Sequence, residues 1–511
     1  MFCDIGYNQI KDQKEFMIEI IPIICVVLLT FITRVYNLLN IPIFTDEAIY
    51  IRWAQIGLAD PAHRFIALTD GKQPLLTWLM YPFLKVFSDP LLAGRMVSVL
   101  SGMISVVGVY FVSKELFNKK TALASSLIYV FTPFMLIYDR LALMDSLLSC
   151  FGIWSLYLAT ILIRRLRLDT ALILGMVIGL GLLTKSSAFY YLLLAPSSLI
   201  VFDFRIKNRT RRLIKWLGLF GLSFFIAQIM YNSLRLSPWF YLIRQKNYSF
   251  ILTLSEFLLS PFALFISNMR GLWEWLSGYL TLPLIIIVII GGVRALIRKD
   301  LKVLYLFLWF FTPFISLASF GKVIFPRFML FMVIPLLIIA GNTLTLFLNR
   351  AKQKIIWGVF VIILVFALPL YNTYLVLYSP SDVIIPQVDR NQLFDDWPSG
   401  FGVREVIDYL NEKSKDGKIV IGTEGTFGLF PTVFEIYLGL NRNVEIHGYW
   451  PVGEVPSELL AAATQYPTYL IFKEKQEIPS SWPLVLISKY QRGRGNTYLL
   501  FYQVLAKNKR K

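Results

Sequence analysis

The chain has 511 residues, of which 56% are hydrophobic and 16% are charged, whereas soluble domains carry about 25% charged residues. The formal net charge is +18, but the basic residues lie mainly between long apolar runs, as topogenic charges do, so nucleic acid is not an expected partner. This composition excludes an ordinary soluble enzyme and indicates a membrane domain followed by a soluble one.

The first apolar run, residues 18–39, is longer than the core of a signal peptide, which has about 7–15 residues. It is therefore predicted to be a retained first span. Cys3 lies near the start of the chain, and Cys25 and Cys150 lie inside apolar runs. The C-terminal part has no cysteine, so no disulfide framework is expected there.

A helix needs about 20 apolar residues to cross the hydrocarbon core of a bilayer. On this criterion the chain is predicted to be a polytopic α-helical membrane protein with about eleven transmembrane helices. They are placed near residues 17–39, 91–112, 121–138, 142–163, 170–184, 187–203, 213–232, 276–296, 301–319, 326–348 and 355–377.

The stretch 170–204 is either one long span or two short spans hinged at Leu183-Thr184-Lys185. Only the two-span interpretation places all the strongly basic connectors on one side, which the positive-inside rule assigns to the cytoplasm. The basic residues of these connectors lie within 114–120, 164–167, 205–215, 294–302 and 350–354. The N-terminus is then predicted to be cytoplasmic, and the loops 40–90 and 233–275 and the C-terminal domain are predicted to be extracytoplasmic.

The first outer loop has two stretches with helical apolar patterning, residues 46–58 and 74–87, which carry Trp53, Trp78 and Tyr81. Each stretch is too short or too polar to span the membrane. They are predicted to form interfacial helices, with the aromatic rings at headgroup level. A plain amphipathic loop is the alternative.

From residue 379 the composition becomes that of a globular protein, so the chain is divided into a transmembrane domain, 1–378, and an extracytoplasmic domain, 379–511. Alternating strands and helices predict a small α/β fold for the second domain. Helices are predicted at 403–413, 429–438 and 458–465, and strands at 418–422, 444–447, 469–473, 484–488 and 497–504. No GxGxxG spacing follows the first strand, so no nucleotide is assigned.

Asp46 and Glu47 lie just outside the first span. Two adjacent carboxylates at a membrane surface are costly unless they are hydrated, paired or used in a reaction. Such a carboxylate can act as a general base, and mutual repulsion or partial burial is expected to raise its pKa. The alternative is a helix N-cap at Thr45 or Asp46, with acidic residues favoured in the first turn.

A second acidic position, Asp145, lies at the outer end of the fourth span, where Arg140 is five residues away and is expected to pair with it. Asp145 is either part of this structural ion pair or an acidic group of the same outer cavity.

Basic residues on the outer side run against the positive-inside bias, so we expect them to bind a phosphate. Contact with lipid headgroups is the alternative. These residues are Lys72, Lys185, Arg244, Lys246, Arg270 and Arg327.

The only histidines, His63 and His447, are far apart in the sequence, and no HExxH or CxxC spacing occurs. A metal site rich in histidine and cysteine is therefore not expected. Binding of a divalent cation by carboxylates stays open, and no metal ligand is assigned.

Taken in order, these motifs resemble the C-type integral membrane glycosyltransferases, in particular the superfamily of protein O-mannosyltransferases and lipid A aminoarabinose transferases. The resemblance covers roughly residues 17–350. It is carried by Asp46-Glu47, Lys72-Gln73-Pro74-Leu75, Gly94-Arg95 with Ser98, Arg140 with Asp145, Leu183-Thr184-Lys185 and Pro326-Arg327-Phe328. Gln73 departs from the family, which often has Lys-Pro-Pro-Leu, and leaves the local turn undetermined.

The resemblance implies a cavity on the outer face of the membrane, roofed by interfacial helices, and a donor that is a sugar on a polyprenyl phosphate. It assigns the base to Asp46, with Glu47 beside it, and a second acidic role to Asp145. It assigns contacts with the donor phosphate to Lys72, Lys185 and Arg327, and we add Arg140, Arg244 and Arg270 as candidates for the same role.

The predicted function is transfer of one sugar, with inversion, from an undecaprenyl- or dolichyl-phosphate carrier to an extracytoplasmic hydroxyl of a protein, lipid or glycan. A transporter or flippase of lipid-linked sugars is the chief alternative. Transporters, however, place ionisable residues near the bilayer midplane and often have internal repeats. A third interpretation is a membrane scaffold without catalytic activity.

Overall fold

A computed structural model describes residues 20–350 and 355–506. Some residues named above lie outside these two ranges. They are Cys3, the first residues of the first predicted span, and Lys352 and Lys354 of the last basic connector. In the described part, seven helices are long and apolar enough to cross a membrane, or eight if one bent pair counts as a span. The predicted class, a polytopic helical membrane protein with a small C-terminal α/β unit, is confirmed.

The helices of the membrane part are α1 (Ile20–Asn40), α2 (Thr45–Ala59), α3 (Leu75–Val86), α4 (Pro90–Leu116), α5 (Lys119–Phe131), α6 (Pro133–Tyr138), α7 (Met144–Arg165), α8 (Leu168–Thr184), α9 (Ser186–Val201), α10 (Arg209–Asn232), α11 (Tyr241–Phe250), α12 (Leu254–Leu259), α13 (Phe265–Leu280), α14 (Leu282–Arg298), α15 (Leu301–Phe320), α16 (Leu330–Arg350) and α17 (Ile355–Tyr378). A 3-10 turn, Pro326–Met329, leads into α16.

Four predicted spans are short or broken. The third is divided at Thr132 into α5 and α6, because Pro133 lacks the N–H that would continue the helix. The stretch 170–204 forms two segments that separate at Lys185, as the charge argument predicted. The span predicted at 276–296 falls on α13 and α14, which meet at 108° around Thr281, a residue with a φ of 67°. The run of apolar residues continues through this turn, so hydropathy alone did not reveal it.

The helical bundle is built around α4, α7 and α16, whose apolar windows are mostly buried, whereas α1, α10 and α17 expose apolar side chains. Gly341 allows α16 to approach α5 closely, since a Cβ at this position would lie 2.2 Å from Ser125 Oγ. Such small residues are typical of helix contacts within membranes. Both helices predicted in the first outer loop are present as α2 and α3.

The C-terminal unit consists of helices and one mixed five-stranded sheet. Its elements are α18 (Gln387–Arg390), α19 (Val403–Lys415), β1 (Ile419–Glu424), α20 (Thr432–Leu438), β2 (Val444–Tyr449), α21 (Ser457–Ala462), β3 (Thr468–Phe472), β4 (Leu484–Gln491) and β5 (Tyr498–Val504). The strand order is β2-β1-β3-β5-β4, with β1 parallel to β2 and β3, and β5 antiparallel to β3 and β4. Every predicted strand and helix of this unit is confirmed.

The α/β unit packs directly against the start of α2. The Thr45 N–H donates to the Pro398 carbonyl over 3.1 Å, and the Gly400 N–H donates to the Ile43 carbonyl over 2.8 Å. Further along α2, Arg52 forms an ion pair of 3.0 Å with Glu435 in α20. The residues between α17 and α19, 379–402, are called the connecting segment below. They bring the α/β unit to the face of the bundle on which α2 begins.

Candidate active site

A cavity of about 420 Å³ lies where several helices end on the face covered by the α/β unit. It is lined by the first turn of α2, the loop before α3, the break between α8 and α9, the end of α11, and the facing ends of α15 and α16. Among the described residues that line it, four side chains are cationic and two are carboxylates. These are Lys72, Lys185, Lys246, Arg327, Asp46 and Asp145.

Asp46 lies in the first turn of α2 with its side chain 18% exposed. Its Oδ2 is 3.0 Å from Nη2 of Arg327, and its Oδ1 is 3.9 Å from Nζ of Lys72. Burial by itself raises the pKa of Asp46, but Lys72 and Arg327 outweigh it and bring this pKa below its usual value. The expected rise in the pKa of Asp46 is therefore wrong, because cations surround the carboxylate.

Lys72 is held against Tyr50 of α2. Its ammonium donates to the Tyr50 hydroxyl over 3.0 Å and lies 4.9 Å from the centre of the ring. Burial disfavours the ammonium form, but Tyr50 and Asp46 outweigh this effect and raise the pKa of Lys72 above its ordinary range. Lys72 therefore stays cationic at physiological pH.

Lys185 lies at the break between α8 and α9 and pairs with Asp145, with 2.7 Å between Nζ and Oδ1. Its ammonium is also 4.4 Å from the centre of the Phe328 ring. Burial lowers the pKa of Lys185, and Asp145 opposes this shift. Asp145 thus partly offsets the effect of burial on the pKa of this half-buried lysine.

Arg327 is fixed on several sides. Its guanidinium carbon is 5.4 Å from the Phe44 ring centre and 4.9 Å from that of Phe325. Nη2 donates to Asp46, and Nη1 donates to Oε1 of Gln392 over 3.2 Å. A planar guanidinium held in this way presents its donors in a fixed direction, which suits recognition of a phosphate or carboxylate.

Glu47 does not line the cavity, although it follows Asp46 directly. Its carboxylate is fully buried and accepts two hydrogen bonds from Arg95, each of 2.8 Å. It also accepts from the Ala142 N–H and from the Phe44 N–H. The last bond caps α2, so the predicted capping role exists but is filled by Glu47, while Phe44 occupies the N-cap position. The geometry gives Glu47 a structural position and leaves Asp46 as the carboxylate that faces the cavity.

Arg140 does not pair with Asp145, in contrast to the prediction. It is fully buried and donates to the carbonyls of four residues at the end of α1: Thr33, Arg34, Tyr36 and Asn37. These carbonyls end a helix, where a cation is favourable. Arg140 is therefore withdrawn as a phosphate ligand.

Arg244 and Arg270 do not line the cavity either. Both are exposed, and Arg244 donates to the hydroxyl of Tyr248 one turn away on α11. Lys246, two residues later, does reach the cavity, and its ammonium is 2.7 Å from Asp70 Oδ1. Sequence position could not separate these residues, because all belong to the stretch 233–275. The rotation of α11 turns Lys246 and not Arg244 toward the cavity, and Arg270 lies on a different helix, α13.

The sequence analysis missed three residues around the site: Tyr50, Gln392 and Asp389. Tyr50 is one helical turn from Asp46, so helical periodicity could have placed it in the cavity. Gln392 and Asp389 belong to the connecting segment, and no sequence signal links them to Arg327. The Asp389 carboxylate is buried and accepts hydrogen bonds from the hydroxyls of Tyr138 and Tyr279.

In residues 20–350 and 355–506, no group of three or more His, Cys, Asp or Glu side chains is arranged to hold one metal ion. Asp46 and Asp145, the carboxylates of the cavity, each point at a lysine or arginine. This set of donors does not fit a divalent cation, which prefers several oxygen ligands around it.

The part of the chain that contains Lys72, Asp145 and Lys185 matches a known family. The model of the dolichyl-phosphate-mannose-protein mannosyltransferases matches residues 71–231. No curated protein matches the chain.

Solved structures share the architecture of almost the whole chain. ArnT from Cupriavidus metallidurans bound to undecaprenyl phosphate is similar with a TM-score of 0.57 and 13% identity, and the match covers 96% of this chain and 99% of that one. The chain has the fold of the C-type integral membrane glycosyltransferases. Archaeal AglB from Archaeoglobus fulgidus, in complex with an inhibitory peptide and a dolichol-phosphate, is similar with a TM-score of 0.53 and 13% identity, covering 90% of this chain and 69% of that one.

The C-type fold and the family match together point to an integral membrane glycosyltransferase.

A second cavity of about 590 Å³ lies between α13, α14 and α15, and its lining is entirely apolar. The cavity at Asp46, in contrast, is lined by charged side chains and is therefore the candidate active site.

Proposed function

We propose that this protein transfers a sugar from a polyprenyl-phosphate carrier to an extracytoplasmic hydroxyl, with Asp46 as the general base. The observation that carries the proposal is the placement of the Asp46 carboxylate beside Lys72 and Arg327 within one cavity. A base for the acceptor and cations for the phosphate are the two groups that this reaction requires.

The charge of the cavity supports an anionic ligand. Its four cations exceed its two carboxylates by two positive charges. A sugar on a polyprenyl phosphate is a diester with one negative charge, and the departing phosphate monoester approaches two. Cations that interact more strongly with the leaving group than with the bound donor lower the barrier rather than only tighten binding.

In the proposed reaction the donor phosphate takes the place of Asp46 as the partner of Arg327 and Lys72. The freed carboxylate then lies beside a negative phosphate, which raises its pKa and makes it a better base. The acceptor oxygen attacks the anomeric carbon from the side opposite the phosphate, and its proton passes to Asp46. The bond from the anomeric carbon to the phosphate oxygen breaks, its electron pair stays on the phosphate, and the configuration is inverted.

Asp145 takes the second acidic role in this proposal, and it acts through Lys185. Their ion pair of 2.7 Å holds the ammonium at the edge of the cavity and favours its charged form. Lys185 and Lys246, which line the same cavity, then provide further cations for the phosphate.

The position of the charges favours a transferase over a transporter. Asp46, Lys185 and Arg327 all lie at helix ends on one face of the bundle, next to the α/β unit. A transporter that alternates its access would place its site near the bilayer midplane. We propose that this face is extracytoplasmic, with residues 1–378 as the catalytic membrane domain and 379–511 as the outer domain, because the basic connectors lie at the other ends of the helices.

The test is a transfer assay with the purified chain in lipid, a panel of radiolabelled undecaprenyl- and dolichyl-phosphate sugars, and protein, lipid and glycan acceptors. We expect Asp46→Asn to abolish transfer. Asp60→Asn is the matched control, because Asp60 follows the same helix but is exposed and pairs only with its neighbours Ala62 and His63. Equal transfer by the wild-type protein and Asp46→Asn would remove Asp46 as the base.

A further inference from the structure

The segment that connects the last span to the α/β unit reaches the charged cavity through Gln392. We propose that Gln392 is a positioning residue that holds Arg327 for the carrier phosphate without neutralising it, so that the connecting segment completes the donor site. This inference rests on the proposed function, because it takes Arg327 as a ligand of the phosphate.

The two ends of the Arg327 guanidinium have different partners. Nη2 is paired with Asp46, a partner that a phosphate must displace, whereas Nη1 is bound by Gln392 Oε1 over 3.2 Å. When Asp46 is displaced, Gln392 remains as a polar anchor, together with the rings of Phe44 and Phe325. The amide therefore fixes the guanidinium in both the free and the occupied site.

Gln392 is a neutral partner for the positive charge of Arg327. An amide oxygen accepts a hydrogen bond from arginine but carries no net charge, whereas a carboxylate at the same place would compete with the phosphate. Arg327 pairs with one carboxylate already, Asp46. A neutral second acceptor leaves its full positive charge available once Asp46 has been released to act as the base.

Gln392 is itself held in place by the turn in which it lies. It lies in a π-helical turn, Asn391–Asp395, a rare geometry that is common at functional sites. One helical turn before it, Asp389 is buried and accepts hydrogen bonds from Tyr138 at the end of α6 and Tyr279 in α13. The connecting segment is thus anchored to the membrane helices directly beside Gln392.

The other end of the same turn is tied to the α/β sheet. Asp395 forms an ion pair of 2.8 Å with Arg390, and its carboxylate accepts from the Arg494 N–H, in the hairpin between β4 and β5, over 2.9 Å. Gln392 therefore sits between an anchor in the membrane part and an anchor in the α/β unit. Its contact with Arg327 is a direct link from the outer unit to the charged cavity.

The test is equilibrium binding of undecaprenyl phosphate and of dolichyl phosphate to the purified full chain in lipid nanodiscs. These probes carry the phosphate without a sugar, so the measurement is independent of the unknown acceptor. We expect Gln392→Ala to weaken binding about tenfold, as loss of a hydrogen bond to a charged group does. Gln392→Glu retains an acceptor but adds a negative charge, and we expect it to weaken binding at least as much with an unchanged Tm.

Two controls separate positioning from folding. Gln387→Ala changes an exposed glutamine of the same segment, whose partner is Asn391 and not Arg327, and should bind like the wild-type protein. In an Arg327→Ala background, Gln392→Ala should have no further effect, since its action passes through Arg327. If Gln392 had a purely structural role, Gln392→Ala would weaken carrier binding by the same factor in the wild-type and the Arg327→Ala backgrounds.

The outcomes are distinct for the two proposals. If the wild-type protein binds a carrier phosphate and Arg327→Ala weakens this binding, the donor site stands. In that case, wild-type affinity in Gln392→Ala, or an equal loss in the Arg327→Ala background, overturns the role of Gln392. Wild-type affinity in Gln392→Glu overturns the requirement for a neutral partner. If the wild-type protein binds neither carrier, both the proposed donor site and the proposed role of Gln392 are overturned.

Discussion

Nη2 of Arg327 lies 3.0 Å from Oδ2 of Asp46, although 281 residues separate them along the chain. The pair joins the group proposed as base to a group proposed to bind the phosphate. Because the carboxylate and a carrier phosphate need the same guanidinium, they compete for it. In the proposed reaction, binding of the donor phosphate to Arg327 therefore releases the carboxylate of Asp46 to act as the base.

Asp46→Asn should bind the carrier phosphate more tightly than the wild-type protein while it loses transfer. Removal of a competing, partly exposed negative charge is worth about 1 kcal/mol, or roughly three- to tenfold in Kd. The measurement is the affinity for undecaprenyl and dolichyl phosphate at low and high salt, with Asp60→Asn as control. Weaker binding in Asp46→Asn would contradict the competition.

Asp145→Asn should change how carrier binding depends on pH. Burial lowers the pKa of Lys185 and Asp145 opposes this, so its removal lowers the pKa of Lys185 further. Lysine binds phosphate only below its pKa, and the loss of affinity with rising pH should therefore begin at a lower pH in the variant. The checks are binding curves from pH 6 to 10.

Lys185→Met serves as the control for that experiment. It removes the titrating group, so it should bind the carrier more weakly at low pH and lack the step that Asp145→Asn shifts. Curves of the same shape for the wild-type protein and Asp145→Asn would show that Asp145 does not govern the charge of Lys185.

Glu47→Gln should destabilise the fold, because it breaks a buried pair and leaves Arg95 without its anionic partner. Loss of one member of a buried ion pair costs about 3–5 kcal/mol. Tm in lipid is the measurement, and Glu115→Gln is the comparison. Glu115 pairs with Arg164 at a half-exposed position, where the cost is about 1 kcal/mol or less. If Glu47→Gln had the Tm of the wild-type protein but had lost transfer, Glu47 would have a role in the reaction and not only in the fold.

The connecting segment should make stability depend on pH through Asp389. Burial raises the pKa of Asp389 to about 6, against the lowering effects of Tyr138, Tyr279 and Arg327, and Asp145 adds to the rise. The folded state thus holds this proton more tightly than the unfolded chain, in which the pKa is about 3.9. Between these two values stability falls as pH rises, by about 2–3 kcal/mol in all, and it is level above pH 6.

Asp389→Asn isolates this effect because it cannot titrate. The Tm of the wild-type protein, relative to that of the variant, should rise as pH falls from 7 to 4.5. A difference in Tm that stays constant over this range would show that the carboxylate of Asp389 titrates normally.

Hydropathy and charge largely determined the architecture. The lengths of apolar runs predicted most spans, and the basic connectors correctly divided the stretch at 170–204 into two segments at Lys185. Alternating patterns predicted each strand of the α/β unit. These features depend on neighbouring residues along the chain. The bend at Thr281 escaped because an apolar run has the same hydropathy whether the helix is straight or sharply turned.

The motif order around Asp46, Lys72, Asp145, Lys185 and Arg327 predicted the cavity residues, but their partners came only from tertiary structure. Asp46 and Glu47 are adjacent in sequence, yet successive helical residues point about 100° apart, so one faces the cavity and the other faces Arg95. Arg140 and Asp145 are five residues apart and still find different partners, at the end of α1 and at Lys185. The sequence by itself determined which charged groups stand at the helix ends around the cavity. The packing of α2, α16 and the connecting segment decided which charges meet, because pairing depends on direction and distance in space.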